Sequence, residues 1–194
     1  PDDMATNMNI ATTYLQMGRP QSALVFAERS ITLEGEIAPA QITLAATYQL
    51  LQRPQDALNA YIAASEAMDE PSPQLMRNII FLLTKEKRYQ EVVNTTMQLV
   101  QLDPTSDTFE QLGWAEFRLG DYEASLGAYR TAIDYDANNW RALNGVGVNE
   151  LNNWLLGDKA DLDSYQAART VFRRSLAIHP DQPKVITLIL RYGL

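Results

Sequence analysis

With 194 residues, 46% of them hydrophobic, the chain is long enough for one domain with a sizeable core, and its lack of cysteine excludes disulfides, thiolate metal sites and cysteine nucleophiles. Sixteen basic against 24 acidic residues leave a net charge of −8, which argues against nucleic acid and against an anionic membrane surface as partners. No apolar run is long enough to insert into a bilayer and no targeting segment is visible, which leaves cytoplasm and periplasm both open.

Taken in chain order, the sequence falls into helix–turn–helix units. The first, about 4–37, has a leading helix with Ile10, Ala11 and Tyr14, a turn at Gly18-Arg19-Pro20, and a trailing helix opening at Ala23. The second, about 38–72, repeats this with Leu44, Ala45 and Tyr48, then Gln52-Arg53-Pro54 and Ala57. The third, about 73–105, carries Ile79-Ile80, the turn Lys87-Arg88-Tyr89, and Val92 in place of the alanine. The fourth, about 106–139, has Leu112-Gly113, Gly120-Asp121-Tyr122 and Ser125. The fifth, about 140–181, has Val146-Gly147 and then Ala168. Apolar residues recur at helical spacing on each element: Leu112, Ala115 and Leu119 on one stripe, Leu126, Tyr129 and Ile133 on the next.

The register holds in several columns at once. Ala23, Ala57, Val92, Ser125 and Ala168 are separated by 34, 35, 33 and 43 residues, and Ala27, Tyr61, Thr96, Tyr129 and Phe172 keep the same intervals. Small residues let paired helices approach, and aromatics fill the gaps between neighbouring pairs. Ile80 and Val92 break that rule in the third unit, whose helices are expected to sit slightly farther apart. The interval of 43 implies about nine inserted residues near 155–163. Two readings are open there: a longer leading helix ending at Gly157, with a polar loop whose Asp161 or Asp163 caps the next helix, or a lip extending the binding face. Residues 182–194 form either a capping helix or the start of a further unit. Pro104 and Pro180 close their units, Gly35 holds that column in the first, and Pro1-Asp2-Asp3 resembles the tail of an earlier unit, so the chain is expected to be a fragment of a longer protein.

On these residues the chain resembles the tetratricopeptide repeat family, whose unit of about 34 residues carries Leu-Gly, Gly-x-Tyr, alanine and aromatic positions at fixed spacing. The fourth unit matches best, with Phe109, Leu112, Gly113, Gly120, Tyr122, Tyr129 and Ala132. The resemblance covers nearly the whole chain and implies an all-α fold, an α-solenoid of tandem antiparallel helix pairs with a concave face lined by the leading helices. It also implies a protein-binding role. Some members hold a chaperone's C-terminal carboxylate with a clamp of lysine, asparagine and arginine. Here Met8, Thr12, Thr43, Gln74 and Asn78 stand at the corresponding positions, so that clamp is mostly missing.

No catalytic constellation is visible. The lone histidine, His179, sits beside Pro180 at a helix end, and Gly145-Val146-Gly147 lies inside a helix, where small residues serve packing. No cofactor or metal is expected. On a helical wheel the groove side carries Arg77 and Phe81 in the third unit, Glu110, Trp114, Phe117 and Arg118 in the fourth, and Arg141, Asn144 and Val148 in the fifth. Rigid aromatic area beside forked donors is the composition of binding hot spots, so Arg77, Phe81, Trp114, Phe117, Arg118, Arg141 and Asn144 are the expected partner-binding residues. The function expected is a non-catalytic interaction module for a protein or peptide partner. Four lysines against twelve arginines, together with the lack of cysteine, lean towards a bacterial protein, so a bacterial scaffold or adaptor is expected. The alternatives are a scaffold that self-associates through its apolar terminal helix, or a targeting arm of a larger enzyme or regulator.

Overall fold

A computed structural model describes residues 2–33 and 37–194. The closing-column positions Pro1 and Gly35 lie outside the described residues. Among those described are eleven α-helices and no strand. The helices are α1 (Met4–Gln16), α2 (Pro20–Ser30), α3 (Ile37–Leu50), α4 (Pro54–Glu66), α5 (Pro73–Lys85), α6 (Tyr89–Leu102), α7 (Ser106–Leu119), α8 (Tyr122–Tyr135), α9 (Trp140–Leu156), α10 (Leu162–Ile178) and α11 (Pro183–Tyr192). They group into two compact units, one ending at Arg88 and the other spanning Tyr89–Leu194. The division runs through the third helix pair, leaving α5 in the first unit and α6 in the second.

The first unit stacks two helix pairs and α5. Ala11 and Ala23 in the first pair and Ala45 and Ala57 in the second are fully buried, which lets the backbones of α1 and α2, and of α3 and α4, lie close. Proline opens α2, α4 and α5 at the first helical positions, where its missing N–H costs nothing. The turns within the pairs pass through the left-handed region at one fixed column. Gly18 (φ 68°) and Gly120 (φ 87°) fill it without strain, whereas Gln52 (φ 58°) and Lys87 (φ 58°) carry a side chain there.

The second unit is α6–α11. Its leading helices are capped by side chains: Thr105 accepts from the Thr108 N–H at 3.2 Å and Asn139 from the Ala142 N–H at 3.0 Å. A buried polar chain ties three helices together. The Ser125 hydroxyl on α8 donates to the Gly113 carbonyl on α7 (2.7 Å), and the Asn149 amide on α9 donates to Ser125 Oγ (3.0 Å). The extra residues of the fifth pair are spread over three places. Both α9 and α10 have 17 residues where α7 and α8 have 14, and the loop at 157–161 is three longer than that at 120–121. Asp161 caps α10, accepting from the Ser164 N–H at 3.0 Å. The added turn carries Trp154, whose ring packs on Tyr165 (5.0 Å between centroids) and on Tyr192 of α11 (6.2 Å). The insertion therefore serves to cover α11 with aromatic area.

Candidate partner-binding cleft

The fourth and fifth pairs frame a cleft of about 440 Å³, lined by α7, α8 and α9. Its depth follows from two glycines. The Tyr129 ring on α8 is 5% exposed and is wedged between Gly113 of α7 and Gly145 of α9. A Cβ at Gly113 would stand 2.9 Å from the ring and one at Gly145 only 2.3 Å, so neither position accepts a side chain without displacing the tyrosine. With the ring seated so deeply, the space above it stays open.

The walls are aromatic: Trp114 and Phe117 from α7 and Trp140 from α9. Trp114 is half-buried, edge-on to Tyr89 (5.7 Å) and partly packed on the cluster of Tyr129, Ala132, Ala142 and Val146. Phe117 leans on Tyr122 at 5.2 Å. The rim is cationic and held in place. Arg118 donates to the Tyr89 hydroxyl (2.7 Å) and lies over the Tyr89 and Trp114 rings at 4.7 and 5.9 Å. Arg141 lies over the Trp140 ring at 4.5 Å, and His179 stacks on the same ring at 4.6 Å. Guanidinium groups stacked in this way lose little further freedom on meeting a carboxylate.

Polar groups line the cleft as well. Burial pushes the Glu110 carboxyl above its ordinary range; Arg141 pulls it down and Asp107 adds to the rise. Burial, then the charge of Glu110, raises the Tyr129 phenol. Asn144 donates to Gln182 Oε1 at 2.5 Å, and its own Oδ1 is buried without a partner. Gln182 is itself buried and donates to the Ser175 and His179 carbonyls, at 3.1 and 2.6 Å. The segment before α11 thereby fixes the Asn144 side chain.

Of the residues expected from sequence, Trp114, Phe117, Arg118, Arg141 and Asn144 meet in this cleft. Arg77 and Phe81 belong to the other compact unit, on α5. Phe81 is 50% exposed in a depression with Gln49, Gln52, Pro54, Leu82 and Lys85, and the Lys85 ammonium lies over its ring at 4.5 Å. Sequence reasoning missed Trp140 and Tyr129 as lining residues. Trp140 opens α9 just before Arg141, and Tyr129 sits in the aromatic packing column, so only the facing glycine, Gly145, hinted that its ring reaches the cleft. Among the described residues no group of acidic, histidine or cysteine side chains could hold a metal, and no helix is long and apolar enough to cross a membrane.

Helix pairs in register around fixed columns of small residues define an all-α helical-repeat protein. Residues 111–183 match the model of the tetratricopeptide repeat family. Heat shock protein STI1 of Saccharomyces cerevisiae is 28% identical over 91 residues, which are 46% of this chain and 15% of that protein. The chain thus aligns with only a small part of that relative. Among solved structures, YrrB, described as a TPR protein with an unusual peptide-binding site, superposes with a TM-score of 0.79 at 16% identity, over 96% of this chain and 92% of its own. MamA from Desulfovibrio magneticus RS-1 gives 0.74 at 17% identity, over 94% and 98%. At these identities the structural likeness is one of fold.

Proposed function

We propose that the chain is a non-catalytic interaction module whose cleft at Trp114, Phe117 and Trp140 takes a segment of a protein partner. A bulky apolar side chain of that segment enters between the rings, and an acidic neighbour pairs with Arg118 or Arg141. The observation that carries this is the pre-stacked pair of arginines on an aromatic wall beside an open cleft, in a chain whose overall charge is −8. The likeness to YrrB, a TPR protein with an unusual peptide-binding site, and the family's match to residues 111–183 support a peptide over a small molecule. The missing carboxylate clamp supports an internal segment over a chain terminus.

Selection of a random peptide library on the full chain tests the reading. Enriched peptides are expected to place a large apolar residue beside Asp or Glu, and Trp114→Ala with Arg141→Ala is expected to weaken them by roughly 30-fold or more, the size of a hot-spot loss. Enriched peptides without such a pattern, or bound equally by the variant, would overturn it. A second reading, self-association, is favoured by one observation: Ile186 and Leu190 on α11 are 41% and 79% exposed. Sedimentation showing only monomer at high concentration would remove it.

A further inference from the structure

We propose that Glu110 sets the charge preference and the pH response of the cleft, taking up a proton when an acidic side chain of the partner settles on Arg141. This rests on the reading of the cleft as a partner site. Glu110 is half-buried in the cleft lining and, among the described residues, makes no hydrogen bond or ion pair. The groups that face it are few. Asp107 lies one turn away on its own helix, Tyr129 comes from α8, and Arg141 from α9. Among the described residues Arg141 is the only cation acting on it, and that guanidinium is stacked on Trp140 rather than paired with Glu110.

An acidic ligand group on Arg141 neutralises the one charge that favours the Glu110 carboxylate, and it adds a like charge nearby. Both changes favour the protonated acid. Binding and protonation are then linked. The sign follows: the bound state holds the proton more tightly than the free state, so affinity for an acidic segment rises as pH falls through that interval. It levels off below, until the ligand's own carboxylates protonate near ~4. Burial already lifts the free Glu110 acid above its ordinary value, which moves this window toward neutral pH.

The test uses the full chain and three end-capped fluorescent peptides, each with one leucine–phenylalanine core flanked by aspartate, asparagine or lysine. Binding is read by anisotropy from about pH 7.5 down to about pH 5, above the range in which the ligand's own aspartate protonates. The wild type is expected to prefer the aspartate peptide, more strongly at the acid end. Glu110→Gln, close to isosteric, is expected to bind that peptide roughly fivefold more tightly at the upper pH, the factor one charge–charge contact supplies in high dielectric. The two proteins converge toward the lower pH. Asp107→Asn, an exposed neighbour, is expected to change affinity by less than about twofold. Equal, pH-independent binding of the aspartate peptide by wild type and Glu110→Gln overturns the role of Glu110 and leaves the cleft reading standing. Preference for the lysine peptide, weakened by Glu110→Gln, also overturns it. If none of the three peptides binds, the cleft reading falls and this inference falls with it.

Discussion

Replacing Gly145 by alanine tests the wedge on which the cleft depends. The new Cβ would stand 2.3 Å from Tyr129 Cζ and 2.4 Å from both Cε atoms, against an ordinary contact of at least 3.4 Å, so the ring must retreat by about 1 Å. On the far side lies Gly113 of α7, where even an added Cβ would stand only 2.9 Å from the ring, so there is little room for the tyrosine to retreat. Either the tyrosine leaves its rotamer or α7 and α9 separate. Overpacking of that kind costs about 1–3 kcal/mol, and the gain of alanine over glycine in a helix returns up to about 1 kcal/mol. With that gain realised, the net loss of up to about 2 kcal/mol lowers the thermal midpoint by up to roughly 8 °C at this chain length. Gly127→Ala is the matched control. It lies in α8 with nothing within 4 Å of the new Cβ, so only the propensity term acts and the midpoint is expected to rise by roughly 2–4 °C. Circular dichroism melts of the two variants decide the matter. A Gly145→Ala protein as stable as Gly127→Ala would refute the wedge.

Further outcomes follow from the same contacts. Gln52→Gly, which relieves a side chain held at φ 58°, is expected to stabilise the first unit by about 0.5–1 kcal/mol, read as a higher denaturation midpoint; a lower one would show that the turn is not strained. Trp154→Ala removes the ring that covers Tyr165 and Tyr192, and about 2 kcal/mol is expected to be lost, with faster amide exchange across α11; unchanged exchange would count against the insertion's covering role. The hydrogen bond from the Ser164 N–H holds the Asp161 carboxyl below its ordinary value of 3.8, so its contribution is present above that value and is lost as pH falls through the lower folded one. Asp161→Asn keeps the cap without the charge, and its melting temperature is expected to fall less than the wild type's on acidification below about pH 4.

The fold was legible because close packing leaves a mark in composition. A column that must be small for two helices to touch reads as Ala11, Ala45, Gly113 and Gly147, and its period is visible without any structure. The third pair, with Ile80 and Val92 in place of small residues, is also where the chain divides into two compact units. Helix ends were legible where a side chain caps them, as at Asp161, but the left-handed turn column was not, because Gln52 and Lys87 hide the requirement that Gly18 and Gly120 display.

The cleft was legible only in part, and the reason is geometric. A helical wheel assigns a side chain to a face but says nothing of how far it reaches or what fixes it. The wheel assigns Trp114, Phe117, Arg118, Arg141 and Asn144 to the groove side along with Arg77 and Phe81, yet the last two lie on α5, in the other compact unit. Tyr129 comes from a trailing helix and reaches the cleft only because Gly145 leaves it room. Asn144 is set by Gln182, 38 residues away, a pairing no periodicity encodes. Glu110 shows the limit most clearly. By spacing it is one more residue on the groove side, and only its burial beside Tyr129, with Arg141 stacked elsewhere, turns it into a group whose charge state depends on what the cleft contains.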